Sequence, residues 1–209
     1  MMKQATQGLL MLAILVVYPV ASAQVERYVA GTHYQVLDNP VRTADSSRIE
    51  VIELFWYGCP GCYAFEPLVA NWEQSQSADI DHKRLPAMWN PITEIHAQAF
   101  YTAQNLDSLH AVHDRFFNEY HQNRNRLHNE VVIREFFEAC GISPADFDRT
   151  FNSFSVRTQV NQAEALMARY GPAQTPSLYV NGKYVVTLGD GGYQQMLDIV
   201  DFLVDMERG

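Results

Sequence analysis

Two cysteines separated by only two residues, Cys59 and Cys62, stand between an apolar segment and an amphipathic one. Residues 50–57 are dense in β-branched and aromatic side chains, which is typical of a buried strand. Apolar residues then recur at helical spacing over residues 62–72, which predicts a helix. Cys59 is therefore expected at a strand-to-helix corner, and this arrangement constrains the fold more than any other feature of the chain.

A cysteine at the start of a helix lies beside unpaired backbone N–H groups and the positive end of the helix dipole. Both stabilise a thiolate over a thiol, and the thiolate is the species that reacts. Pro60 suits the corner, because its fixed φ and missing N–H cost nothing in the first helical turn. The run Cys59-Pro60-Gly61-Cys62 therefore predicts a dithiol that alternates with a disulfide.

The N-terminus has the pattern of a secretory signal peptide over residues 1–23, cleaved after Ala23. Lys3 precedes an apolar run over residues 9–17, and small residues occupy positions 21–23. A membrane anchor is the weaker interpretation, because this run is well short of the roughly 20 apolar residues that span a bilayer. Export would place the dithiol in an oxidising compartment, where a disulfide persists.

Strand patterns occur near both ends of the remaining chain, and helical patterns fill its middle. The predicted strands are residues 34–37, 50–57, 80–85, 177–180 and 184–187, and the helical patterns cover 62–72, 92–154, 156–170 and 193–207. Asn181-Gly182-Lys183 is a strong hairpin signal between the last two strands. The order of these patterns predicts an α/β chain with a helical block inside it.

Three further features argue against other functions: the net charge, the histidines and the third cysteine. A net charge of −9 without a basic cluster argues against nucleic acid as a partner. Of the seven histidines, only His110 and His113 have helical spacing suitable for a metal, so surface histidines are expected rather than a metal site. Cys140 precedes Gly141 at a predicted helix end and is expected to be a small buried hydrophobic residue.

The chain resembles the thioredoxin superfamily, and within it the periplasmic DsbA-like thiol:disulfide oxidoreductases. The resemblance is carried by residues 53–66 around the dithiol, by the helical block, and by Thr175-Pro176 before a hairpin. It implies an α/β thioredoxin fold with an inserted all-helical domain. The thioredoxin-like domain would comprise residues 24–90 and 162–209, and the helical insertion residues 91–161.

The resemblance also assigns roles around the dithiol. Cys59 would be the exposed attacking thiolate, Cys62 the buried partner that resolves the mixed disulfide, and Pro176 a cis-proline lying against them. A proline that opens a strand has no N–H to pair, and a cis bond there would leave the Thr175 backbone free to pair with an extended substrate chain.

Glu53 is an acidic residue in an otherwise apolar strand, so its burial should raise its pKa unless a partner is close. In DsbA-like proteins a buried acid at this position pairs with a base on the neighbouring strand and helps to move protons for the buried cysteine. The resemblance makes Arg84 that base, with Lys83 as the alternative.

Two positions depart from the best-known members. Gly61 stands where DsbA proteins often have a histidine that stabilises the thiolate, and Thr175 stands where many have valine. One pKa unit is about 1.4 kcal/mol, or roughly 30 mV for a two-electron couple, so loss of the histidine would make the protein less oxidising. The Thr175 hydroxyl is expected to reach the dithiol sulfur and tune exchange.

The resemblance implies a periplasmic monomer that donates its Cys59–Cys62 disulfide to exported, unfolded proteins with free cysteines. A DsbB-like membrane protein would reoxidise it, and no metal or cofactor beyond the disulfide is implied. Threonine at position 175 keeps a disulfide isomerase or reductase open as an alternative. A periplasmic metal-binding or holdase module is the alternative of another class, because the cysteine pair suits a soft metal such as copper.

Overall fold

The computed structural model describes residues 27–171 and 174–209, in which five strands and seven helices are present. The predicted signal peptide, residues 1–23, lies outside the described residues. The strands are β1 (Gln35–Val36), β2 (Ile49–Phe55), β3 (Ile80–Pro86), β4 (Ser177–Val180) and β5 (Tyr184–Thr187). The helices are α1 (Pro60–Ser75), α2 (Pro91–Asn105), α3 (Leu109–His121), α4 (Glu130–Ala139), α5 (Pro144–Phe151), α6 (Phe154–Tyr170) and α7 (Gly192–Arg208).

The five strands form one mixed sheet in the order β1-β5-β4-β2-β3. β2 and β3 are parallel and joined by α1, whereas β4 runs antiparallel to both β2 and β5. The predicted hairpin turn is present, with positive φ at Asn181 and Gly182. A Cβ at Gly182 would collide with the backbone oxygen of Val41, so only glycine fits this turn. In this sheet, strand β2, which leads to the dithiol, lies between β4 and β3.

Helices cover both faces of the sheet. Neighbouring residues of a strand point to opposite faces. Val51 of β2 packs in one apolar core with side chains of α1 and α7, and Ile52 packs in another with side chains of α2 to α6. The α/β thioredoxin fold with a helical insertion is thus confirmed.

Helix α6 begins at Phe154, two residues before the predicted start, because the Ser153 side chain caps it by accepting the N–H of Val156. It continues to Tyr170, so the predicted domain boundary between residues 161 and 162 falls inside one unbroken helix. That division remains a prediction. Across residues 27–171 and 174–209, none of the helices combines the length and apolar character needed to cross a membrane.

Candidate active site

Cys59 lies at the corner between β2 and α1, as its sequence context predicts. The chain turns after β2, where the Cys59 N–H donates to the Trp56 carbonyl at 2.9 Å. Pro60 then occupies the first turn of α1, and Cys59 is the N-cap, with its Sγ accepting the N–H of Cys62 at 3.3 Å. Cys59 is 9% exposed, Cys62 is fully buried, and both are free thiols. Cys59 is the accessible member of the pair, although less exposed than the resemblance implies.

The two sulfurs have opposite acidities. The hydrogen bond from the Cys62 side chain, aided by the Thr175 side chain and backbone N–H groups of the loop, lowers the pKa of Cys59 to about 5 against the opposing effect of burial. Burial raises the pKa of Cys62 far above its ordinary value. At neutral pH the reduced pair is therefore a thiolate beside a thiol. This low pKa arises without a side chain at Gly61.

The loop before β4 lies against the dithiol. The Thr175–Pro176 peptide bond is cis, as expected. The Cys59 Sγ lies 3.4 Å from the backbone oxygen of Thr175. A Cβ added to Gly61 would be only 3.1 Å from the Cδ of Pro176. Two segments that are more than a hundred residues apart in sequence therefore meet at one sulfur.

Glu53 is fully buried and is paired in register with Arg84 of β3. The Arg84 Nε lies 3.5 Å from Glu53 Oε2, and neither Glu53 oxygen has a hydrogen-bond partner among the described residues. Burial raises the pKa of Glu53 to about 8. Lys83 points to the other face, where its Nζ lies 2.6 Å from Glu50 and 2.8 Å from Asp81. Arg84 is thus the base beside Glu53, and Lys83 is not.

Arg84 also binds two carboxylates of α1 that sequence reasoning missed. Its Nη2 lies 3.0 Å from Glu66 Oε1, and its Nη1 lies 2.8 Å from Glu73 Oε2. One guanidinium therefore faces three carboxyl groups. The signal was available in the sequence, because Glu66 and Glu73 are seven residues apart and so lie on one face of the helix.

Glu66 connects this cluster to α3. Its Oε2 lies 3.3 Å from the Nε2 of His113, whose Nδ1 is 2.8 Å from the Tyr57 hydroxyl. Burial acts to raise the pKa of Glu66, but the contacts with His113 and Arg84 outweigh it and lower the pKa. Glu66 also lines a cavity of about 260 Å³ between α1 and α3. The buried charges beneath the dithiol thus reach a solvent-facing cavity.

The expectation that the histidines lie on the surface is wrong for His96 and His113, which are 1% and 6% exposed. His96 Nδ1 accepts the indole N–H of Trp56 at 3.1 Å, and burial lowers the pKa of His96 to about 4. Cys140 caps α4 and is half-buried rather than fully buried. In the part of the chain that the structure describes, no three His, Cys, Asp or Glu side chains are grouped so as to hold a metal ion.

A stable thiolate at one sulfur and a buried, protonated partner at the other allow a disulfide to open by attack at a single, defined atom. On a thioredoxin-type sheet, with a cis-proline loop beside the thiolate, this asymmetry defines the class of thiol:disulfide oxidoreductases.

Comparison with known proteins identifies the family. The model of the DSBA-like thioredoxin domain matches residues 50–200. The thiol:disulfide interchange protein DsbA of Pseudomonas aeruginosa is 37% identical over 199 residues, which are 95% of this chain and 94% of the relative. DsbA of Pseudomonas syringae pv. tomato is 37% identical over 180 residues, covering 86% and 84%.

Comparison with solved structures supports the same family. The crystal structure of Pseudomonas aeruginosa DsbA superposes with a TM-score of 0.84 at 36% identity, covering 88% of this chain and 96% of that one. DsbA from Xylella fastidiosa has a TM-score of 0.80 at 29% identity, covering 87% and 98%. The chain belongs to the DsbA-like thioredoxin family. It is a thiol:disulfide oxidoreductase, and this function is favoured over a metal-binding or holdase module.

The buried Glu53 should make stability depend on pH. Its pKa is raised from 4.5 to about 8 in the folded protein, so between these values the unfolded chain loses a proton that the folded protein keeps. Stability contributed by Glu53 therefore falls as pH rises through this window, by at most about 1.4 kcal/mol per pH unit. In Glu53→Gln this fall should disappear, so the variant gains a few kcal/mol relative to the parent between pH 5 and pH 8.

Denaturant unfolding of both proteins at pH 5, 6.5 and 8 measures this difference. Glu138→Gln, which changes an exposed glutamate of α4, is the matched control and should follow the parent at each pH. If the Glu53→Gln variant also follows the parent, Glu53 is ionised in the folded protein and the raised pKa is wrong.

Proposed function

We propose that the protein oxidises pairs of cysteines in exported, unfolded proteins by donating its Cys59–Cys62 disulfide. A substrate thiolate attacks the Cys59 sulfur, the Cys59–Cys62 bond breaks, and the Cys62 sulfur leaves and takes up a proton. A second substrate thiolate then attacks the substrate sulfur of the mixed disulfide, and Cys59 leaves as a thiolate. Two substrate thiols are oxidised, and both cysteines of the protein are reduced.

The observation that carries this direction is the low pKa of Cys59, about 5. A thiolate that is stable at neutral pH is a good leaving group, and it stabilises the reduced protein relative to the oxidised one. The disulfide itself closes a loop of only four residues, from which little entropic stabilisation follows. Both effects favour transfer of the disulfide to the substrate.

Glu53 is the proposed proton donor to Cys62. The leaving sulfur of Cys62 is buried, so its thiolate is unstable until it is protonated. With a pKa raised to about 8, Glu53 holds a proton at neutral pH. Arg84 lies beside both Glu53 and Glu66, and its guanidinium holds these two carboxyl groups in place.

The cis-proline loop is the proposed substrate-binding edge. Thr175 lies beside Cys59, and Pro176 immediately precedes β4. Backbone groups of this loop would pair with an extended substrate segment, which explains how unrelated unfolded chains present a cysteine to Cys59.

The proposed setting is the periplasm, reached through the signal peptide of residues 1–23. A DsbB-like membrane protein would accept the two electrons of the reduced pair and restore the disulfide. The cycle needs no cofactor besides the Cys59–Cys62 disulfide, and the protein would act as a monomer.

Equilibration of the Cys59–Cys62 pair with glutathione, together with a thiolate titration of Cys59 in the same sample, tests the direction of transfer. We expect a reduction potential above about −180 mV, the value of protein disulfide isomerase, and half-ionisation of Cys59 near pH 5. A potential near the roughly −270 mV of thioredoxin, with Cys59 titrating near neutral pH, would instead indicate a reductase.

A further inference from the structure

The outer edge of β3 is the free edge of the sheet, and two hydrogen bonds fix which backbone groups face it. β3 is the last strand in the sheet order, and it pairs in parallel with β2 alone. At one end of this ladder the N–H of Ile49 donates to the Asp79 carbonyl at 2.8 Å. At the other end the N–H of Ala87 donates to the Phe55 carbonyl at 2.8 Å. Alternate residues of a parallel strand turn both backbone groups to the same neighbour, so the odd-numbered residues of β3 pair with β2.

The even-numbered residues of β3 therefore turn their N–H and C=O groups outward. The chain itself satisfies those of Ile80, whose N–H donates to the Ser77 carbonyl and whose carbonyl accepts from the Arg48 side chain. Within residues 27–171 and 174–209, no protein group hydrogen-bonds the backbone N–H or C=O of His82 or Arg84. Two donors and two acceptors are thus left on alternate residues of one edge.

A cleft of about 440 Å³ runs along this edge and is called here the β3 cleft. Its lining includes the four consecutive residues 82–85. Successive side chains of a strand lie on opposite faces of a sheet, so a cleft that touches all four lies at the strand edge and not over one face. Gln104 of α2 and Gln162 of α6 lie on one side of it, and Glu73 of α1 lies on the other.

The charged groups around the β3 cleft already have partners. Arg84 contacts carboxylates of α1, and Lys83 contacts those of Glu50 and Asp81. The remaining polar lining includes neutral glutamines, whose amides both donate and accept hydrogen bonds. The cleft therefore favours a ligand that forms hydrogen bonds of the backbone type over one that carries a charge.

We propose that the β3 cleft binds an extended segment of an unfolded protein, which adds to the sheet as a further strand beside β3. Donors and acceptors on alternate residues match extended backbone, and such pairing depends little on the sequence of the segment. The inference rests on the proposed function in one respect: unfolded exported proteins are the chains that supply such segments.

The position of the β3 cleft suits one chain that also reacts at the dithiol. β2 and β3 are parallel, so Cys59, which follows β2, lies at the same edge of the sheet as the carboxyl end of β3. A long substrate held in the cleft has a raised effective concentration at Cys59.

Amide hydrogen exchange measured by NMR tests the added strand residue by residue. The probe is ribonuclease A with its cysteines reduced and alkylated, which is unfolded and has no thiol to react with Cys59. With the probe at about ten times its Kd, exchange of the His82 and Arg84 amides should slow about tenfold. The amides of Lys83 and Leu85 pair with β2 in any case, so their exchange should not change.

The Gln162→Trp variant narrows the β3 cleft at an exposed position of α6. We expect it to lose the slowed exchange at His82 and Arg84, and its KM for reduced, unfolded ribonuclease A should rise at least about fivefold. Its reaction with glutathione should not change, because glutathione is too small to occupy both places. Asn161→Trp is the matched control: it puts the same side chain on the neighbouring exposed residue, outside the cleft lining, and should behave as the parent.

Three results would overturn the proposal. The first is unchanged exchange at His82 and Arg84 when the probe is added, and the second is slowed exchange that persists in Gln162→Trp. The third is exchange that slows in the free protein as its concentration rises, because β3 would then pair with a second copy of this chain.

The probe has no thiol, so these results are independent of the donor chemistry. Slowed exchange in a protein with a thioredoxin-like potential would support the β3 cleft and refute the donor function. Unchanged exchange in an oxidising protein would refute the β3 cleft alone.

Discussion

Replacing Cys59 with serine is expected to reduce disulfide transfer to the uncatalysed rate. Cys62 cannot substitute for it, because Cys62 is fully buried and its pKa lies far above the ordinary thiol value. A buried thiol that stays protonated is a poor nucleophile. Cys62→Ser should also end turnover, but for another reason: Cys59 still reacts, and its mixed disulfide has no neighbouring thiol to resolve it.

Incubation of each variant with oxidised glutathione, followed by intact-mass measurement, distinguishes these two failures. Cys62→Ser should accumulate a lasting glutathione adduct at Cys59, and Cys59→Ser should form none at the site. Oxidation of a dithiol peptide measures turnover, with Cys140→Ser as the control that loses a half-buried thiol of the helical block and retains full activity. Adduct formation on Cys62 in the Cys59→Ser protein would contradict the assigned roles.

Replacing Arg84 with methionine is expected to lower the free energy of unfolding by about 3–5 kcal/mol at pH 7, since removing one partner of a buried ion pair leaves its charge uncompensated. Here Glu66 and Glu73, which are ionised at pH 7, lose their shared cation. Arg134→Met is a matched control. It breaks an exposed pair with Asp148, at 2.7 Å, and should leave the free energy of unfolding close to that of the parent, because solvent screens exposed ion pairs.

The penalty of Arg84→Met should shrink as pH falls. The contact with His82 and the charge of Arg84 lower the pKa of Glu73 to about 2, so its stabilising effect is present above pH 4.5 and is lost as pH falls through that lower value. The stabilising effect of Glu66 is also lost as pH falls, because its pKa is lowered too. Denaturant unfolding at pH 3 and pH 7 measures the change, because only the lower value lies well inside this window. A penalty that is equal at both values, or no larger than that of Arg134→Met, would show that Arg84 does not hold these carboxylates.

The dithiol corner and the hairpin could be predicted because their signals are local. Cys59, Pro60 and Asn181-Gly182 each determine the backbone within a few residues. The burial of His113 had a local signal too, since Phe116 and Phe117 follow it at helical spacing and all three lie on the buried face of α3.

Other parts of the site depend on tertiary packing. The contact of Glu66 with His113 requires α1 and α3 to meet, and no periodicity in either helix specifies that meeting. The β3 cleft depends in the same way on how α1, α2 and α6 pack around the sheet edge. Such contacts link residues distant in sequence, so a single sequence cannot reveal them.

The Sγ of Cys59 is at once the reacting atom and the N-cap of α1. When this sulfur is joined to Cys62 or to a substrate, it loses the charge that makes it a good acceptor for the helix N–H. The reduction potential of the Cys59–Cys62 pair is therefore linked, through one thermodynamic cycle, to the difference in stability between the reduced and the oxidised protein. Any substitution that stabilises the reduced first turn more than the oxidised one strengthens the oxidant by the same free energy. Evolution can therefore adjust the potential of this protein without changing either cysteine.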